Sequence, residues 1–132
     1  MKFTSIRIIT DDPQRLVEFY ERLTGEQATW SNPVFAELSL SSFTLAIAGS
    51  PTVDLFGPGS AHAADNRSAI IEFLVDDVDA EYEKLRPWVT DFVNSPTTLP
   101  WGNRSLLLRD PDGNLVNLFT PVTEEAVAKF LH

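Results

Sequence analysis

The sequence predicts an α+β fold of two βαβββ modules in succession, each sheet curling into a half-barrel around a cleft. Three observations predict it. Residues 3–10, FTSIRIIT, and 69–75, AIIEFLV, both read as strands by their alternation and β-branched content. Each runs directly into a double aspartate and an amphipathic helical stretch, DDPQRLVEFYERLTG and DDVDAEYEKLRPW. Each helix is then followed by short extended pieces, so the chain repeats its own plan.

Taken in order, Ile6 and Ile8 share one face of the first strand, with Ser5, Arg7 and Ile9 on the other. In the helix that follows, Asp11 or Asp12 can accept from free N–H groups, and Pro13 suits the first turn. Leu16, Phe19, Tyr20 and Leu23 recur at helical spacing, and Gly25 suits a left-handed cap. Extended pieces are expected at 28–30, 34–40 and 43–48, with Ser41-Ser42 turning between the last two. The first module thus covers about residues 1–49, and a Gly/Pro/Ala-rich connection covers 50–68. The second covers 69–122, with its helix capped by Asp76 or Asp77 and extended pieces near 91–94, 104–109 and 115–120. DPDG, residues 110–113, supplies the turn between the last two strands. Residues 123–132 form a tail or a helix, and the whole of 1–132 reads as one domain.

Composition excludes several classes of function. There is no cysteine, hence no disulfide and no thiolate metal site. The two histidines, His62 and the terminal His132, leave little material for imidazole ligation. A net charge of −9 disfavours nucleic acid, which needs clustered Lys and Arg, and favours cationic ligands if it favours any. No apolar run approaches the ~20 residues of a membrane span, and MKFTSIRIIT enters a strand with no signal-peptide core. The expectation is a cytoplasmic protein with neither nucleic-acid nor membrane partners.

The repeat, together with PWG at 100–102, Arg104 and DPDGN at 110–114 before an apolar strand, resembles the glyoxalase/bleomycin-resistance/extradiol-dioxygenase superfamily, also called vicinal oxygen chelate. The resemblance covers nearly the whole chain. It implies that metal-dependent members draw His, Gln or Glu ligands from the first and last strands of each module. Transferred by register, those positions fall on Ser5, Leu45, Ile70 and Asn117. A divalent ion needs imidazole, carboxylate or thiolate donors to replace its water. This set implies no metal and no cofactor.

Arg7 and Glu72 then occupy equivalent positions on the inward faces of the two first strands, either as an ion pair or as polar contacts for a ligand. Trp30, Phe35, Phe43, Phe56, Phe92 and Trp101 lie near strand ends or loops, where rings can stack on a flat ligand or fill the sheet core. His62 reads as a solvated loop residue. The predicted ligand-binding set is Arg7, Trp30, Phe43, Phe56, Glu72, Trp101 and Asn117, with no catalytic and no metal-binding residue. The expected function is metal-independent binding of a small molecule, an aromatic one and cationic if the charge balance has a part. This is the bleomycin-resistance type of activity, with a homodimer as the expected assembly. The alternative is a lyase or dioxygenase of the same superfamily with an atypical metal site built from Glu37, Glu72 or His62. A sensor or accessory domain is a third class.

Overall fold

The computed structural model describes residues 1–130. The chain divides into two compact units, the first comprising Met1–Asn66 with Pro111–Gly113 and the second the remaining described residues. The first carries β1 (Ser5–Thr10), α1 (Pro13–Thr24), β2 (Thr29–Asn32), β3 (Phe35–Ser39), β4 (Thr44–Gly49) and, after a 3-10 turn, α2 (Val53–Phe56). The second carries β5 (Ile70–Leu74), α3 (Val78–Leu85), β6 (Thr97–Thr98), β7 (Asn103–Arg109), β8 (Leu115–Pro121) and α4 (Glu124–Phe130). Each unit has a four-stranded sheet, ordered β1-β4-β3-β2 and β5-β8-β7-β6, and neither closes into a barrel. The α+β expectation is met.

The helices begin where their aspartates allow. Asp12 Oδ1 accepts from Arg15 N at 3.1 Å and Asp77 Oδ1 from Ala80 N at 3.1 Å, each satisfying one of the N–H groups a helix start leaves free. Gly25 ends α1 in the left-handed region at φ 77°. A threonine supports each strand-to-helix turn, Thr10 buried and Thr120 half-buried. Thr10 Oγ1 accepts from Asp12 N, while Thr120 Oγ1 accepts from Val78 N and donates to the Val75 carbonyl.

The first and last strands of each module pair in parallel, β1 with β4 and β5 with β8. Parallel partners need a crossover, and the crossover helix packs on one sheet face. In the second unit that face carries Ile71, Leu106, Leu108, Val116 and Leu118, all buried, against Val78 and Leu85 of α3. Burying each such side chain contributes about 1.5–3 kcal/mol before entropy is counted. At the edge of this layer Arg104 forks onto Asp79, Nε to Oδ2 at 2.8 Å and Nη2 to Oδ1 at 3.0 Å. Those hydrogen bonds hold the Asp79 carboxyl below its ordinary pKa.

Two expectations need correction. The piece near 91–94 is not a regular strand; Phe92 makes an isolated bridge to Leu108, and β6 lies further on at Thr97–Thr98. Leu107 N donates to the Asn94 side chain rather than to a backbone carbonyl, which breaks the ladder, and Pro96 and Pro100 bracket what remains. The connection, for which the sequence predicts no element, contains α2.

The C-terminal helix is fixed through Gly102, whose φ is 95°. Its carbonyl accepts from Val122 N at 2.8 Å, and a Cβ there would run into Thr123 Oγ1 and come within 3.0 Å of the Ala126 Cβ. Thr123 Oγ1 in turn accepts from Ala126 N in the first turn of α4. Gly102→Ala combines a left-handed backbone with overpacking and should destabilise by about 2 kcal/mol or more. Denaturant melts of the wild type, G102A and G102A/T123A test this, and the double variant should recover part of the loss.

Candidate functional site

Because side chains alternate along a strand, the register assigns every residue to the helix face or the opposite one. In the first unit Gly49 approaches Pro13 of α1, so Leu45, Ile47 and Gly49 of β4 face the helix. The opposite face carries Arg7, Ala46 and Glu37 in one paired row, with Ile9, Ala48 and Phe35 in the next. The Arg7 guanidinium lies 4.8 Å from the Phe35 ring centre and 5.1 Å from that of Phe56 in α2. Each such cation–π contact contributes about 0.5–1 kcal/mol at an exposed site. The polar residue Arg7 is thus held by aromatic faces over a floor of two small alanines.

In the second unit the face away from α3 carries a paired row of Glu72, Asn117 and Leu107. Asn117 Nδ2 donates to Glu72 Oε2 at 2.8 Å. An ionised carboxylate only accepts, so this contact fixes which end of the amide points where. Asn117 Oδ1 therefore points away from Glu72, and it is buried without a partner, in a residue only 8% exposed. Ser105, 1% exposed, lies in the next row, paired with Phe119, and its Oγ is also buried and unpartnered. Phe119 packs edge-on to Phe130 of α4, ring centres 5.1 Å apart. Exposure rises toward β5, where Ile70 and Leu74 flank Glu72 at 47% and 49%. Leaving a buried acceptor unsatisfied costs about 1–3 kcal/mol.

The residues singled out from the sequence are thus distributed among several places. Arg7 and Phe56 come together, as do Glu72 and Asn117. Trp30 lies on the α1 side of its sheet, lining a hollow of about 420 Å³ with Gln14, Asn32 and Pro33. Phe43 packs on Phe3, ring centres 5.8 Å apart. Trp101 stands 67% exposed in the turn before β7. Phe92 is edge-on to Tyr82 of α3. His62 borders a hollow of about 360 Å³ with Asp11, Ser50 and Asp54. Ser105 was missed; counting back across the DPDG hairpin from Asn117 would have placed it on the same face.

One register assignment changes. Leu45 pairs with Ile6 and faces α1, whereas the residue beside Arg7, as Asn117 is beside Glu72, is Ala46. The ligand positions thus become Ser5, Ala46, Ile70 and Asn117, and the donor set is no better. Among the described residues no group of three or more His, Cys, Asp and Glu is placed to hold a metal. The residues present do not fit the divalent ion of metal-dependent relatives.

Paired βαβββ modules, each a four-stranded sheet with its crossover helix on one face, define a class of small α+β domain. The chain belongs to the Glyoxalase/Bleomycin resistance protein/Dioxygenase superfamily, whose family model matches residues 2–118. It is 29% identical to the uncharacterized protein YraH of Bacillus subtilis (strain 168), over 90% of this chain and 98% of that protein. Its fold is similar to a glyoxalase/bleomycin resistance protein/dioxygenase from Nocardioides, with a TM-score of 0.78 at 22% identity over 94% of this chain and 85% of that one. A family enzyme from Burkholderia phytofirmans PsJN is similar at TM-score 0.77 and 20% identity, over 90% and 98% of the respective chains. At such identities the structural likeness establishes the fold alone.

The Glu72–Asn117 contact should be measurable. A double-mutant cycle with Glu72→Gln and Asn117→Leu is expected to return a coupling of about 1–2 kcal/mol, since one partner of the hydrogen bond is charged. Denaturant unfolding at neutral pH supplies the four free energies, and additivity would mean that the two side chains act independently.

Proposed function

We propose that the protein binds an aromatic small molecule without a metal ion and without transforming it, on the sheet face of the second unit away from α3. The observation that carries this reading is Asn117. It stands where metal-dependent relatives place a carboxylate, its amide nitrogen is committed to Glu72, and its oxygen is buried with no partner. A polar group left unsatisfied beside Leu107, Phe119 and the exposed Ile70 and Leu74 is what a mostly apolar binding site with few orienting groups requires. Sequestration of the bleomycin-resistance type needs no more than such binding.

A panel of aromatic antibiotics and dyes, followed by tryptophan fluorescence and by mass spectrometry of the recovered compound, tests the reading. Binding should persist in excess EDTA, and protein purified without affinity-tag metal should carry far less than one Zn, Ni, Mn or Fe per chain. Trp101→Ala should weaken binding by about 1 kcal/mol if the ring stacks on the ligand. Chemically altered compound would make this an enzyme, and a chelator-sensitive response would restore a metal.

We also read the protein as a homodimer. Phe3, Leu55, Ile70, Leu74 and Val93 are all exposed in the single chain, and β1 and β5 are edge strands. Light scattering at micromolar concentration should give twice the chain mass, and a monomer would count against it.

A further inference from the structure

Glu72 and Asn117 in one paired row and Ser105 in the next form a row of polar side chains on one sheet face, and that row has a direction. Its three side chains offer a carboxylate oxygen, an amide oxygen and a hydroxyl oxygen, and one N–H of the Asn117 amide is spent on Glu72 within the row. From the exposed Glu72 the row leads inward to two atoms that solvent does not reach, Asn117 Oδ1 and Ser105 Oγ. Asn103, two residues from Ser105 on the same face of β7, adds a third buried oxygen without a partner. Around them Ile70, Leu74, Leu107, Leu115 and Phe119 supply apolar walls. Arg109 shares this face but is engaged with other groups, and Asn117 Oδ1 has no partner in its presence.

Resting on the binding reading above, we propose that this row recognises a protonated nitrogen group, an ammonium or amidinium, carried on an apolar or aromatic body. The chemistry is complementary at each point. An ammonium has several N–H donors and no acceptor, so one group can meet Asn117 Oδ1 and the Ser105 hydroxyl together. The Glu72 carboxylate, with one oxygen already tied to Asn117, supplies the countercharge at the solvent-facing end of the row. Hydrogen bonds with an ionised partner are about twice as strong as neutral ones, and more so where water is excluded. A carboxylate or phosphate ligand meets the Glu72 carboxylate at the entrance and an acceptor in Asn117 Oδ1, while Arg109 on this face is engaged with other groups. A hard divalent cation finds one carboxylate, too few charged oxygens for Ca²⁺ or Mg²⁺.

The test uses three matched probes: 2-(2-naphthyl)ethylammonium, its N,N,N-trimethyl counterpart and 2-(2-naphthyl)ethanol, each titrated calorimetrically into the full chain. The primary ammonium is expected to bind at least tenfold more tightly than either of the others. Glu72→Gln, a change at an exposed position, should erase most of the preference for the ammonium over the alcohol. Ser105→Ala removes a buried hydroxyl with no partner, so it should raise the melting temperature of the free protein while weakening the ammonium several-fold. A purely structural role for Ser105, for instance through a bound water, would instead lower the melting temperature. Equal binding of ammonium and alcohol overturns the inference and leaves the aromatic site standing. Equal binding of the primary and trimethyl cations also overturns it, because charge alone would then suffice without the oxygen row. Binding of none of the three at millimolar concentration removes both readings, as would displacement of the ammonium by Mg²⁺ or Ca²⁺ at similar concentration.

Discussion

Each module is organised by one constraint, the parallel pairing of its first and last strands. β1 and β4 cannot be joined by a hairpin, nor can β5 and β8, so a helix must carry the chain back across one sheet face. That covers one face and leaves the other to be closed by something else. The period of two then decides, residue by residue, which side chains become core and which line the uncovered face. In the second unit this puts Val116 and Leu118 under α3 and Asn117 between them on the other side. A shift of a single residue would bury the amide in the helix layer and expose two core side chains.

The same parity explains why the two modules, alike in topology, offer different chemistry. Where β8 has Asn117 next to Glu72, β4 has Ala46 next to Arg7. The small alanines at 46 and 48 leave room above the sheet for Phe35, and α2 brings Phe56 over the guanidinium. The first unit therefore presents a cation held by rings, while the second presents a run of oxygen atoms with unmet capacity. Symmetry of backbone does not carry symmetry of function. Two or three side chains on the uncovered faces are enough to separate them.

Much of the fold was legible because local signals agreed with the global plan. Asp12, Asp77 and Gly25 act where caps were expected, and DPDG turns where Asp and Gly permit it. What failed had a physical reason in each instance. The segment around Asp91 looked extended, and it is; but Asn94 uses its side chain in place of the backbone, so no regular ladder forms. Leu45 was placed by counting along the repeat, and the count slipped by one because the modules differ in the spacing between their strands. Of the candidate site, Glu72 and Asn117 were readable from register. Their hydrogen bond was not, and neither was Ser105, since a serine in an apolar strand looks like any tolerated small residue until its burial is known.

Asn117 is informative because it is an expensive choice. A leucine there would extend the apolar face shared with Leu107 and Phe119 and leave no acceptor stranded. Glu72 alone does not account for the asparagine, because an exposed carboxylate on an edge strand is solvated without help. Nor does the fold require a polar residue at that position, since Ala46 fills the equivalent place in the first module. A buried amide whose nitrogen is satisfied and whose oxygen is not is a fragment of a larger hydrogen-bonded arrangement. The hydroxyl of Ser105 one row away is a second fragment of it. Asn117 Oδ1 lacks a donor, the Ser105 hydroxyl has capacity to accept from the same one, and the carboxylate at the entrance favours a donor that carries positive charge.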